Sequence, residues 1–366
     1  MKMNRYIYTG LLATLLLGWS CLLTNCTDHT ENDIDRPDTQ SGEPLRVAGL
    51  TRGEGDELTP VPDPRMSDIK LFLVSQSNLS DKTEGTVTYQ GKDTDTGDLI
   101  WDAGPLKVKP GKDYYLFGFL PADITTEASS VAVVDAANAT MTIEDIPMVT
   151  NQDICMVTGV KAGKVTDGSV PLGSFAYHAP ENTDLGYEVS LRADHLYGAV
   201  EFRIKIDKDY NKVRTIKLKS LKLKSKKKST LQVEASLAMN DDGNQPLSDI
   251  VYDTNDIESE PEILLFEKTE GKELDVDNPI TITGYFAAGM IGEGENRKEI
   301  SSYLYLECEY EVLDKSGKHT IEDRIAKNSL ASVLSGLPRG RMKKVNLIVD
   351  PTYLYVLSGW DVDDPQ

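Results

Sequence analysis

The chain is built of short segments in which apolar and polar residues alternate, and a two-residue period is the mark of half-buried strands. Glu201-Phe202-Arg203-Ile204-Lys205-Ile206 keeps one charged face and one apolar face. Ile280-Thr281-Ile282-Thr283 and Val345-Asn346-Leu347-Ile348-Val349 repeat the pattern, and Ile69 to Val74 reads as an early strand. Thr86-Val87-Thr88-Tyr89 and Leu99-Ile100-Trp101 flank a turn-rich segment, Gly91 to Gly97, and predict a hairpin. Tyr114 to Leu120 is almost continuously apolar and stops at Pro121, which predicts a central strand covered on both faces. In Ile216-Lys217-Leu218-Lys219-Ser220 the apolar residues are even-numbered, whereas in Leu221-Lys222-Leu223-Lys224 they are odd-numbered. That change of phase predicts a β-bulge near Ser220. The one helical candidate is short, Asn328 to Leu334. Many short strands separated by Gly, Pro, Asn and Asp turns predict an all-β protein made of β-sandwiches.

The N-terminus breaks this pattern. Lys2 and Arg5 precede an apolar run from Tyr6 to Leu17, the layout of a secretory signal. A spanning helix needs about 20 apolar residues in a row, and Trp19-Ser20-Cys21 interrupts the run. Cys26 follows Leu23-Thr24-Asn25, a degenerate lipobox, and precedes the polar, acidic stretch Thr27 to Asp33. These flanks predict a signal peptide over residues 1–25 and a lipid on Cys26; two or three acyl chains hold a protein firmly to a membrane. Cys21 is the alternative acceptor, although Leu22-Leu23 directly after it suits a mature start poorly. An ordinary cleaved signal with incidental cysteines is the plainer alternative. Residues 27–44, with Pro37 and Pro44, have no hydrophobic period and read as a flexible tether.

Length and charge narrow the rest. Of 366 residues, about 50 go to signal and tether, which leaves enough for two domains. The polar loop His178 to Asp184 places their boundary near residues 178–188. A net charge of −20 argues against nucleic acid, whose phosphates need a basic face. Only Cys155 and Cys308 lie in the mature body, so this is not a disulfide scaffold; Cys308 falls on the apolar face of Leu304 to Val312, as a small core residue does. The histidines, His29, His178, His195 and His319, neighbour neither one another nor a cysteine in sequence. Local spacing therefore predicts no zinc site, Cys/His pair, metal or cofactor, a cluster assembled in space being the alternative that spacing leaves open, and no catalytic residue stands out. Gly289 to Gly294 lacks the Lys-Ser/Thr of a phosphate loop and reads as a hairpin loop. Asp93 to Asp98 and Asn240 to Asn244 offer oxygens to calcium but lack the twelve-residue spacing; Asx turns explain both. Lys217 to Lys228 is either a basic patch for phosphate or glycan, or a solvated strand face.

Several segments together resemble the fimbrillins of Bacteroidia-type (type V) pili. The signal with Cys26 is similar to a lipidated prepilin start, and Leu45-Arg46-Val47-Ala48-Gly49-Leu50-Thr51-Arg52 to a first strand ending at a trypsin-like cleavage site. Tyr114 to Pro121, Ile146-Pro147-Met148, Asp194-His195-Leu196 with Val200 to Ile204, and the Trp360-Asp361-Val362 ending also resemble family segments. The resemblance implies two transthyretin-like β-sandwich domains in tandem, residues 53–185 and 186–366, after a lipidated tether and propeptide over residues 26–52. It implies cleavage at Arg52, with Arg46 and Arg65 as alternatives, and assembly by strand exchange.

Physical reasoning supports such an assembly. Loss of the segment up to Arg52 strips a domain of an edge strand and leaves an apolar groove that another subunit's strand can fill. The donor candidate is residues 352–362, with Tyr353, Tyr355 and Leu357 on one side and Trp360 beyond a kink at Gly359. The alternative is that this segment forms the last strand of its own domain. Head-to-tail insertion does not close and yields a filament. The expected function is a stalk or tip subunit of an adhesive surface fimbrium, not an enzyme. Its partners are other fimbrial subunits, the outer membrane through the lipid before cleavage, and host or bacterial surface receptors. The alternative is a glycan-binding or fimbrial-anchor lipoprotein of the same surface.

Overall fold

The computed structural model describes residues 42–52, 64–102, 104–123, 132–135, 138–165, 170–171, 175–181, 186–238, 250–350 and 354–358. Cys21, Cys26, residues 27–41 of the expected tether, Asn240 to Asn244, Tyr353 and Trp360 lie outside these residues, while Glu43 and Pro44, expected to be tether, already belong to the first strand, where they pair with Val108 and Lys107. No helix among the described residues is long and apolar enough to cross a membrane.

The protein is nearly all β, arranged as several sandwich-like sheets. The first sheet runs Lys82–Val87, Ile69–Ser75, Asp113–Leu120, Cys155–Ala162, Tyr187–His195, Glu43–Arg52, Lys107–Val108, with Ala176–His178 added beside Asp113–Leu120. The Asp113–Leu120 strand occupies the middle, as its continuous apolar sequence predicts, and every residue from Tyr114 to Leu120 is buried. Gly118 is part of that fit, because a Cβ there would sit 2.5 Å from the Lys70 carbonyl oxygen. The expected hairpin forms between Tyr89–Lys92 and Leu99–Trp101; Thr86 and Val87 instead end the preceding strand, which pairs with Ile69–Ser75.

The second sheet runs Val149–Thr150, Ile280–Ala287, Tyr197–Ile206, Met342–Val349, Leu354–Ser358. The third runs Glu262–Glu273, Arg214–Ser225, Leu304–Asp314, Thr320–Ser329. These two sheets share one apolar core, in which Phe202, Ile204, Val345 and Leu347 meet Leu218, Leu221, Leu306 and Cys308. The predicted bulge is present: the Arg214–Ser225 strand slips register between Leu218 and Ser220 against both neighbours. The slip turns Leu218 and Leu221 to the same core although their spacing is odd, and both are fully buried. A fourth sheet, Ile250–Asp256, Ser229–Ala238, Asn138–Ile146, Ala132–Asp135, sends Leu231, Val233, Ile143 and Ile146 into the first core. The chain leaves the first sheet at His195 and enters the second at Tyr197.

The helical expectation over Asn328 to Leu334 holds only for Ala331–Leu334. Asn328 and Ser329 stay in the Thr320–Ser329 strand, paired with Leu306 and Tyr305, because ladder hydrogen bonds outweigh the weak propensity of so short a helix.

Candidate functional site

The first strand, Glu43–Arg52, is where sequence and geometry meet. It lies parallel to Tyr187–His195, from Leu45 opposite Tyr187 to Arg52 opposite Ala193, with one residue slipped between Val47 and Gly49. On its other side, among the described residues, it pairs only at its start, Glu43 with Val108 and Pro44 with Lys107, and Leu45 N donates to Leu106 O at 2.9 Å. The slip accounts for the apolar phase of the segment. Leu45 and Val47 point inward, and after the extra residue Leu50 does too, all three being at most 9% exposed. Burying side chains of this size contributes about 1.5–3 kcal/mol each. The strand is thus held by a one-sided ladder and three apolar anchors.

Arg52 is the last residue of this strand. A cut there separates the whole strand from the chain that follows. A cut at Arg46 would leave Val47 and Leu50 attached, and Arg65 sits in a separate one-turn helix, Pro64–Met66, beyond the strand. Of the three arginines, Arg52 alone marks the strand's end.

Among the described residues, the C-terminal strand, Leu354–Ser358, is the edge of the second sheet and pairs antiparallel with Met342–Val349. Tyr355 lies opposite Ile348 and Leu357 opposite Asn346. The segment is therefore paired within its own chain here, at a position with a single ladder to break.

The lysine-rich strand resolves in favour of a solvated face. Its neighbours carry acids, so that Lys219 meets Asp323 at 2.7 Å, Lys224 meets Glu262 at 2.7 Å, and Lys222 meets Glu262 at 3.2 Å. Glu307 also takes Lys327 at 2.9 Å, a hydrogen bond that holds its carboxyl below the usual carboxylate range. Lys219, Lys222 and Lys224 are thus paired with acids of the neighbouring strands, which disfavours an anion site on this face of the sheet. Asp93 likewise accepts from the backbone of Asp95 at 2.9 Å and Thr96 at 2.8 Å, an Asx turn, and Asp98 pairs with Lys164 at 2.7 Å. Gly289 to Gly294 belongs to a small hairpin in which Met290–Ile291 pairs with Lys298–Glu299. Trp101 is 3% exposed and donates through Nε1 to Ser67 O at 3.1 Å, so it is no platform for a sugar ring.

Strand pairing builds the spatial cluster that local spacing left open. Cys155 and His195, 40 residues apart, are register partners on adjacent strands, with Sγ and Nδ1 3.3 Å apart. Sequence spacing could not show this, because strand pairing brought them together. Asp153 contacts the same Nδ1. A catalytic relay needs base and orienting acid on opposite ring nitrogens, and here acid and thiol share one. Both described cysteines are free and buried, and burial pushes the Cys308 thiol up to about 12.

No protein-family model matches the chain, and no curated protein matches it. Among solved structures it is similar to a candidate cell adhesion protein of Bacteroides fragilis, at 10% identity and a TM-score of 0.44, over 88% of this chain and 99% of that one. A fimbrial protein of Bacteroides vulgatus aligns at 12% identity and a TM-score of 0.36, over 86% and 98%. The fimbrial anchor protein Mfa2 of Porphyromonas gingivalis aligns at 9% identity and a TM-score of 0.33, over 86% and 99%. These three cell adhesion and fimbrial proteins align with the chain over most of their length and are distant from it in sequence.

Proposed function

We propose that the chain is a stalk or tip subunit of a surface fimbrium, made as a lipoprotein on Cys26 and assembled by strand exchange after cleavage at Arg52. The observation that carries the reading is the first strand. It ends at an arginine, supplies Leu45, Val47 and Leu50 to a core, and hangs on one full ladder. Its loss leaves the Tyr187–His195 backbone unpaired beside an apolar slot, a state that recruits an extended segment of matching alternation. The C-terminal residues 352–362 are the proposed donor, with Tyr353, Tyr355, Leu357 and Trp360 as anchors. The edge position of Leu354–Ser358 favours release, since one neighbour must be given up. Two tandem transthyretin-like sandwiches, an outer-membrane precursor and a role in adhesion belong to the same proposal.

Mass spectrometry of protein from the native membrane and from sheared surface material tests it. A lipidated start at Cys26 in the membrane and a start at Gly53 in the sheared fraction are expected. A single intact lipoprotein in both fractions would replace this reading with that of an anchor or a surface glycan-binding lipoprotein, in which the first strand is kept.

A further inference from the structure

Asp153, Cys155 and His195 converge at one point in the first core, and strand exchange makes no use of them. Cys155 opens the Cys155–Ala162 strand, and Asp153 stands two residues before it. His195 closes the neighbouring Tyr187–His195 strand directly opposite Cys155, and cross-strand partners present their side chains on the same face. Leu196 N donates to Ile154 O at 2.8 Å and locks the two segments together. The carboxylate, thiol and imidazole ligand atoms all lie within 4.8 Å of one another. Asp153 and Cys155 are each 2% exposed, and His195 is 4% exposed.

An Asp–His hydrogen bond is a sufficient structural device by itself. A thiol is a weak donor and adds little to it, so a cysteine on the same nitrogen calls for another explanation. Charge supplies one. A carboxylate and a thiolate carry two negative charges, which a divalent cation balances while the imidazole stays neutral. One oxygen, one nitrogen and one sulfur form a borderline-soft set that suits Zn²⁺. Ligands at zinc bond lengths in a tetrahedron stand about 3.3–3.6 Å apart. The 3.3 Å between Cys155 Sγ and His195 Nδ1 is about 0.2 Å less than a sulfur–nitrogen pair on zinc needs, a gap that a small side-chain rotation opens. The Asp153 carboxylate, which now contacts the imidazole, would turn off it to complete the set, and the fourth position is left to a non-protein ligand.

We propose that Asp153, Cys155 and His195 form a three-ligand Zn²⁺ site that pins the end of the first sheet where the chain crosses into the second. The site stands whether or not the chain polymerises. The test uses the full chain, solubilised in detergent and stripped of metal, titrated with Co²⁺ and then Zn²⁺. One equivalent of Co²⁺ should produce a thiolate-to-cobalt charge-transfer band that Zn²⁺ abolishes. Cys155→Ala and His195→Ala should each weaken binding by about 100-fold, while Cys308→Ala keeps the band. Zinc should also raise the unfolding temperature of the parent chain. Absence of the band in the parent, with less than about a tenth of an equivalent of zinc retained and no thermal shift, would overturn the proposal and leave a hydrogen-bonded cluster. If the variants fail to fold, the parent's band, stoichiometry and thermal shift decide alone.

Discussion

Leu45→Ala should destabilise the uncut chain and make no difference once the first strand has gone. Leu45 is 1% exposed, and its backbone is fixed on both sides, by Tyr187 and by the Leu106 carbonyl oxygen. Truncating an enclosed leucine costs about 2–5 kcal/mol. The strand beyond Leu45 has one open flank and lets its neighbours relax partly into the space, which points to the lower end, about 2–3 kcal/mol. Arg46, next along the strand, is exposed, and Arg46→Ala should stay within about 0.5 kcal/mol. Urea unfolding of the uncut proteins measures both, with a drop in midpoint of about 1 M expected for Leu45→Ala alone. The same proteins are then cut with an arginine-specific protease and freed of the released peptide. Parent and Leu45→Ala should now unfold identically, since the altered residue is no longer present. An equal cost for Arg46→Ala, or no cost for Leu45→Ala in the uncut chain, would refute the assignment of this strand as part of the core.

Three further outcomes follow from particular contacts. Gly118→Ala should cost about 1–3 kcal/mol in chemical denaturation, because its Cβ would meet the Lys70 carbonyl oxygen and a Leu71 methyl at 2.5 and 2.6 Å. The Glu307 carboxyl has its folded-state value below its unfolded one, so its stabilising effect is present above the unfolded value, near about 4.3, and is lost as pH falls through the folded value. Glu307→Gln should therefore lower stability at neutral pH by about 0.2–1 kcal/mol and flatten the acid limb of a pH–stability curve, most visibly at low salt. Cys308, fully buried with its thiol pushed up to about 12, should not react with a disulfide reagent at about pH 8 until the chain is unfolded.

Local periodicity was enough to place many of the strands. The alternation in Glu201 to Ile206, the continuous run Tyr114 to Leu120 and the phase change at Ser220 each have the structural counterpart that side-chain geometry demands. Thr86-Val87 was paired with the wrong neighbour because a turn-rich segment signals a hairpin without saying where its strands begin. The convergence of Asp153, Cys155 and His195 was illegible for a different reason. It depends on which strands become neighbours, and nothing local in either segment carries that information. The first strand was legible as an apolar segment before an arginine. Its parallel pairing with Tyr187–His195, about 140 residues away, is a property of the sheet.

The most direct test is to cut the purified full chain with an arginine-specific protease and follow N-terminal mass and particle size together, across a range of concentrations. A new start at Gly53, release of the peptide ending at Arg52, and conversion of monomers to head-to-tail oligomers are expected. Oligomerisation should be blocked by Arg52→Ala and by deletion of residues 352–362. Cleavage at Gly53 that yields monomers at every concentration, or an Arg52 that resists cleavage while oligomers form, would contradict assembly through the slot of the first strand.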